Sequence, residues 1–531
     1  MKRLLSLALA LLLILSLVPA TSLAEAADRS IIYAIADDPE QMDPTLNSYA
    51  RSSMVLQQLF RGLYKLDTDG QTFIPALAES YTVSDDNMTY TFTLKDGLKW
   101  SDGSDLTAYD FEYAWKRVLN PEVASKACSD MWVIKNGKAY SKGEATADDV
   151  GVKATDAKTL VVELESYAPW FLSLTSITSY FPVKKEVVEN ETPWTKSPDT
   201  YVCCGPFIPV EFSSLEHIKM VKNPYYYNAD AVEVESLTYV IIPDSTTELT
   251  AYNNGDINVS DNLSADAVDQ YVGTPEYLET GRIGIQYCDF NCAKPEFSDK
   301  RVRQAFAMSI NRQQIMDALR DTQKPLYGFI PYSQPSLTDP SKSYREVAGD
   351  MFAEDVEAAK ALMAEAGYPN GEGFPEVEIV TKADTAQKLF AQIVGEMWKA
   401  NLGVSYRITT YESATYWDEL ENGNFSVDRN GYTCDYRDPV ANIAIFVTGS
   451  NAYENAWDDA TFDAMVDAAN QITDPAEREK AIIAAEAYLV DQMPGMPVYS
   501  YEDSFLVKPN IQGIIKNYIG HINFEYAHFV D

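Results

Sequence analysis

Residues 89–111, TYTFTLKDGLKWSDGSDLTAYDF, constrain the fold more than any other stretch, because a period-two run, two Asp-Gly turns and a helix start follow one another there. Tyr90, Phe92 and Leu94 alternate with Thr91, Thr93 and Lys95. That pattern lays one apolar face on a core and leaves the other wet, as in a half-buried strand. Asp96-Gly97 accepts positive φ in a tight turn, and Leu98 and Trp100 resume the alternation, so the spacing predicts a hairpin with a returning strand. Asp102-Gly103 makes a second turn. Thr107 and Asp110 are spaced as a capping box, opening a helix whose apolar stripe is Phe111, Ala114, Trp115 and Val118, and Asn120-Pro121 stops it. None of these residues carries catalytic chemistry.

Further along, Val377 to Val380 form a β-rich run, and Asp384 caps a helix carrying Leu389, Ile393, Met397 and Trp398, which Leu402-Gly403 ends. Val404, Tyr406 and Ile408 then alternate, completing the strand, helix, strand order of a βαβ unit. Ser298-Asp299 starts a helix that buries Val302, Ala305, Phe306 and Ile310. Asp355 starts another carrying Val356, Ala359, Leu362 and Met363, closed by Gly367. The chain is therefore α/β, and its 531 residues are too many for one ordinary core, so two or three domains are expected.

The formal net charge of -37 repels phosphate backbones and anionic headgroups, which argues against nucleic acid or a membrane surface as partner. Lys2 and Arg3, the apolar run over residues 4–18, and small residues at Ser22, Ala24 and Ala26 read as a secretory signal peptide over residues 1–26, cleaved after Ala24 or Ala26. The run is shorter than the roughly 20 residues of a spanning helix. In an exported chain the six cysteines, Cys128, Cys203, Cys204, Cys288, Cys292 and Cys434, point to disulfides. Cys288 and Cys292 have zinc-like spacing, but no second Cys or His pair completes a ligand set.

Enzyme signatures are missing: there is no Gly-x-Ser-x-Gly elbow, no phosphate-binding Gly-Lys-Ser/Thr loop and no His-Glu-x-x-His helix. The only histidines, His217, His521 and His528, are scattered. Asp67, Asp69 and Gly70 begin like a calcium loop, but the later ligand positions are out of register, so a turn between strands is expected. No cofactor and no metal is expected. A secreted hydrolase would need an acid and base pair that no pattern picks out among 79 acidic residues.

Residues 89–111, with Phe60-Arg61-Gly62-Leu63 and Pro75-Ala76-Leu77-Ala78-Glu79-Ser80 before them, resemble the N-terminal signature of the oligopeptide-binding family, the extracellular solute-binding proteins (family 5) of peptide ABC transporters. Further matches follow in family order: Cys204-Gly205-Pro206-Phe207, Lys222-Asn223-Pro224-Tyr225-Tyr226, Phe297-Ser298-Asp299-Lys300-Arg301-Val302-Arg303, Ala366-Gly367-Tyr368-Pro369 and Cys434-Asp435-Tyr436-Arg437-Asp438-Pro439. The resemblance implies a two-lobed, type II (cluster C) α/β binding-protein fold with an inserted domain and a hinge between lobes. Lobe I would comprise residues 27–52, 192–284 and 500–531, the inserted domain residues 53–191, and the other lobe residues 285–499. It implies a monomer that captures oligopeptides and delivers them to the membrane permease subunits of an ABC importer. Another cargo, such as a sugar oligomer, a metal chelate or a signalling peptide, is the alternative within the family. Many Gram-positive members carry a lipid on a Cys just after the signal. Here the first is Cys128, so a periplasmic protein, or a surface protein held by another tether, is expected.

By the same resemblance the site lies in FSVDRNGYTCDYRDP, residues 425–439. Phe425 and Val427 alternate as a strand would, and residues 429–435 leave it as a loop. Asp435 corresponds to the Asp that binds the ligand's α-ammonium group, and Gly431 and Thr433 would offer backbone groups that pair with the peptide, which gives affinity without reading side chains. Asp38 to Glu40 would line the opposite side. Arg429 corresponds to an Arg that meets the peptide carboxylate, with a strand-end salt bridge as the alternative. Tyr432 stands where relatives often have Trp, and Tyr287 and Tyr501 fall at other positions of the aromatic wall. Relatives also imply a disulfide from Cys434 to Cys288 or Cys292.

Overall fold

The structure, a computed structural model, describes residues 29–68, 72–190, 193–320, 322–434, 436–450 and 455–530. The export signal, Asp69, Gly70 and Asp435 lie outside them. Two strands of 13 residues, Tyr277–Asp289 and Gly495–Val507, run antiparallel through the middle of the molecule, from Tyr277 opposite Leu506 to Asp289 opposite Gly495. Val259–Ser260, Ser30–Ile35, Ser236–Ile241, His217–Lys222 and Phe207–Ser213 extend their sheet on one side, and Asn430–Thr433 closes it on the other. At one end of the pair, Phe505 and Val507 pack with Tyr33, Leu237 and Tyr239 in a first core. At the other end, Ile285, Tyr287, Val498 and Tyr499 pack with Phe306, Trp398 and Val427 in a second. Two cores tied by continuous strands make the two-lobed α/β fold. The ladder slips register between Gly281 and Ile285, at the passage from one core to the other. Such irregularities bend and twist a strand locally.

The first core overturns one local expectation. Thr89–Leu94 is a strand, and Asp96-Gly97 turns with Gly97 at φ +69°, but Leu98 and Trp100 do not return along it. Its two edges are taken by Ala78–Val83 and Thr159–Glu163, in a four-stranded sheet completed by Val152–Ala154. Leu98 and Trp100 are buried instead in the core beneath, and a single bridge from Lys99 to Asp105 closes their loop. The capping box is present: the Asp110 carboxylate accepts from the Thr107 N–H at 2.7 Å and hydroxyl at 3.0 Å, and the helix Ala108–Leu119 follows.

In the second core the βαβ unit is present. Val377–Lys382 pairs in parallel with Tyr406–Tyr411 on one side and Val427–Asp428 on the other, and Thr385–Leu402 is the crossover helix. Its buried stripe runs through Phe390, Val394 and Trp398, one position on from the expected Leu389 and Ile393. Leu389 is 40% exposed. Asp299 and Asp355 cap Lys300–Met308 and Val356–Glu365 as expected, each accepting a hydrogen bond from the first turn.

Candidate functional site

Residues 430–433 are not loop. Asn430–Thr433 is the end strand of the large sheet, paired antiparallel with the long strand Tyr277–Asp289 so that Gly431 faces Gln286 and Thr433 faces Gly284. The Cys434 N–H donates to the Ile283 carbonyl at 3.1 Å. Antiparallel ladders alternate hydrogen-bonded and non-bonded pairs, so this bond turns the backbone groups of Gly431 and Thr433 away from the partner strand. The Gly431 N–H is held by the Asn430 side chain at 2.8 Å. Glycine is required at 431 and 284 by the ring of Tyr501, which lies across both: a Cβ at Gly431 would collide with its hydroxyl and one at Gly284 with its ring edge. Arg282 stacks on that ring 4.4 Å from the centroid, and the Tyr501 hydroxyl donates to Gln286 Oε1 at 3.3 Å.

Arg429 stands at the entrance to this strand. Its Nη2 donates to the Tyr499 hydroxyl at 3.1 Å, and its guanidinium lies 5.1 Å from the centre of the Phe390 ring. Nε is buried without a partner, and no carboxylate among the described residues forms an ion pair with the side chain. Burial pushes the guanidinium pKa down, but the Tyr499 and Tyr501 hydroxyls outweigh it and hold it above its ordinary value. The neighbouring Asp428 is engaged elsewhere, accepting from the Tyr416 hydroxyl at 3.2 Å and the Asp289 N–H at 2.9 Å.

Other expected residues are distributed differently. Tyr287 is a core residue, 1% exposed with its ring against Phe446, because the alternation of the long strand turns it into the second core and not toward the sheet end. The Asp38 carboxylate accepts from Ser214 Oγ at 2.7 Å and the Leu215 N–H at 2.8 Å, holding a hairpin turn in which Leu215 has φ +62°. Glu40 is exposed, and neither acid shares a hydrogen bond with the end strand. Tyr432 is half-buried between two apolar clusters. Thr433 and Cys434 line a cavity of about 270 Å³ with Asn47, Tyr49, Arg282 and His521. Burial, then the charges of Lys516, Arg51 and Arg282, hold the His521 pKa near 4, so the ring is neutral at pH 7. The implied disulfide is not made. Cys434 sits opposite Ile283, five residues and roughly 16 Å along the strand from Cys288, and a bridge needs Cα atoms within about 7 Å. Sequence reasoning missed Arg282, Gln286 and Tyr499. Only the alternation of Tyr499 with Tyr501 could have hinted at one of them.

This geometry meets a clear match among known proteins. The family model of bacterial extracellular solute-binding proteins, family 5 (middle region), matches residues 72–454. The chain belongs to this family. It is 29% identical to the dipeptide-binding protein DppE of Bacillus subtilis over 92% of this chain and 90% of that one, and 30% identical to the oligopeptide-binding protein OppA of the same organism over 93% and 92%. Among solved structures, a periplasmic oligopeptide-binding protein from Borrelia burgdorferi superposes with TM-score 0.80 at 27% identity, covering 94% of this chain and all of that one. Among the described residues no helix is long and apolar enough to cross a membrane.

Proposed function

We propose that the protein captures oligopeptides outside the cytoplasm, in the cleft between its lobes, and delivers them to the membrane subunits of an ATP-driven importer without catalysis of its own. The observation that carries this reading is Arg429, a half-buried cation with no acidic partner among the described residues, standing beside an end strand whose Gly431 and Thr433 backbone faces outward. An extended peptide laid along that edge would gain main-chain hydrogen bonds whatever its sequence. Its carboxylate would neutralise Arg429, and Tyr432 and Tyr501 would wall its side chains. The relatives' names, dipeptide- and oligopeptide-binding, support the same cargo. We assign the α-ammonium anchor to Asp435, which follows Cys434 directly in the sequence. The proposal keeps lobes at residues 27–52, 192–284 and 500–531 and at 285–499, with residues 53–191 inserted, supported by the change of core along the two long strands. Export by the signal at residues 1–26 and a monomeric state complete it.

Calorimetry on four combinations tests the reading: wild type and Asp435→Ala, each with a free and an N-acetylated form of a peptide co-purified with the protein and identified by mass spectrometry. Losing one member of a buried charge pair costs about 2–5 kcal/mol, roughly 30-fold to several-thousand-fold in affinity. Acetylation is expected to cost wild type that much and Asp435→Ala little. Equal losses in both proteins would remove Asp435 from the site, and a purified protein that carries and binds no peptide would remove the function.

A further inference from the structure

Lys382 ends the strand Val377–Lys382, whose Val380 is in register with Asp428 and whose Val380 carbonyl accepts from the Arg429 N–H at 3.1 Å. Parallel strands present their carboxyl ends on the same side of the sheet, so Lys382 and Arg429 emerge together, at the end where ligands of open α/β sheets bind. Tyr416 ties the two. Its hydroxyl donates to the Arg429 carbonyl at 2.8 Å, and its ring centre lies 5.3 Å from the Lys382 ammonium. Trp417, itself 37% exposed, lies 4.5 Å from the same ammonium on its other contact, and Phe390 backs the Arg429 guanidinium.

Neither cation forms an ion pair with a carboxylate among the described residues. The acids that face them have other work: Asp384 caps the crossover helix by accepting from the Gln387 N–H at 2.8 Å, and Asp428 is held by Tyr416 and the Asp289 N–H. The remaining titratable neighbours of Arg429, Tyr499, Tyr501 and Cys288, are neutral in their ordinary states. Burial first, and then the charge of Arg429, hold the Lys382 ammonium below its ordinary pKa, as expected of two cations brought together without counter-ions. A single carboxylate balances one cation; a second anionic group is needed to balance both.

Resting on the peptide reading above, we propose that Lys382 and Arg429 form a two-cation subsite, fenced by Phe390, Tyr416 and Trp417, that selects peptides carrying an acidic side chain at their C-terminal end. Arg429 takes the terminal carboxylate and Lys382 the side-chain carboxylate.

Calorimetry with three pentapeptides tests this: Ala-Phe-Ala-Ala-Glu, its C-terminal Gln analogue, and the Glu peptide with its C-terminal carboxylate amidated. Wild type is expected to favour Glu over Gln about tenfold, Lys382→Met less than about twofold, and Lys382→Arg to restore the preference. Amidation is expected to weaken wild type and Lys382→Met alike, through Arg429. A Glu/Gln ratio near one in wild type, or one unchanged by Lys382→Met, overturns the subsite while the amidation arm still reads the peptide site. If none of the three peptides binds, the peptide reading and the subsite fall together.

Discussion

Arg61 and Lys65 beside the first core and Arg429 and Lys382 beside the second are both pairs of cations drawn out of water, and they end differently. Arg61 and Lys65 are 1% and 6% exposed and converge on Glu525, at 3.0 and 2.5 Å, with Asn228 donating to the same carboxylate at 3.1 Å. Burial alone would push the Glu525 carboxyl up, but the two cations outweigh it and hold its pKa at about 2. That network is complete within the chain. Arg429 and Lys382 have aromatic backing, hydroxyls and neighbours engaged elsewhere, but no carboxylate partner among the described residues. A buried cation is costly unless neutralised. The first pair meets that cost on folding, and the second, in our proposal, leaves it for a ligand.

The comparison breaks most directly at Glu525. Glu525→Gln strands two buried cations, and equilibrium urea unfolding is expected to show a loss of about 3–5 kcal/mol. A loss under about 1 kcal/mol would mean the network is not what holds that end of the lobe. The sign of the pH dependence follows from the lowered pKa. The Glu525 contribution is complete above about pH 4.5, erodes as the pH falls and is gone near pH 2, so the gap between wild type and Glu525→Gln should close over that window.

Arg429→Met is the mirror experiment. Removing a cation that no described carboxylate neutralises should leave stability unchanged or raise it by up to about 1 kcal/mol, while peptide affinity falls roughly 10- to 100-fold. A variant that lost stability and kept affinity would put Arg429 in the same class as Arg61. The finest test concerns the end strand Asn430–Thr433. Gly431→Ala drives a Cβ into the Tyr501 hydroxyl and is expected to cost about 1–3 kcal/mol by thermal unfolding. Adding Tyr501→Phe removes the obstructing atom and should return most of that loss. If the double variant is no more stable than Gly431→Ala, the close approach of Tyr501 to the end strand is not the reason for glycine there.

Much of the fold was legible because its signals are short. The capping box at Thr107 and Asp110, the caps at Asp299, Asp355 and Asp384, and the βαβ order after Val377 all depend on residues within a turn or two of one another. The order of motifs also carried the family. The hairpin failed where local preference met competition: Thr89–Leu94 turns at Asp96-Gly97, but Ala78–Val83 and Thr159–Glu163 hold both its edges. The burial of Tyr287, the hairpin contact of Asp38 and the separation of Cys434 from Cys288 were illegible for a related reason. Which face of a long strand meets which core, and which hairpin tip reaches which loop, depends on segments far apart in the chain.

The amino-acid sequence by itself determined most of the elements and the α/β class, because helix caps, turn pairs and alternation act over a few residues and survive without a tertiary context. The tertiary structure alone decided that residues 430–433 would be the end strand of a sheet begun at Ser30, that Glu525 would reach back 464 positions to Arg61, and that no described carboxylate would do the same for Arg429 or Lys382. Whether a charge is neutralised depends on every chain segment that could have approached it, and that is a property of the folded molecule as a whole.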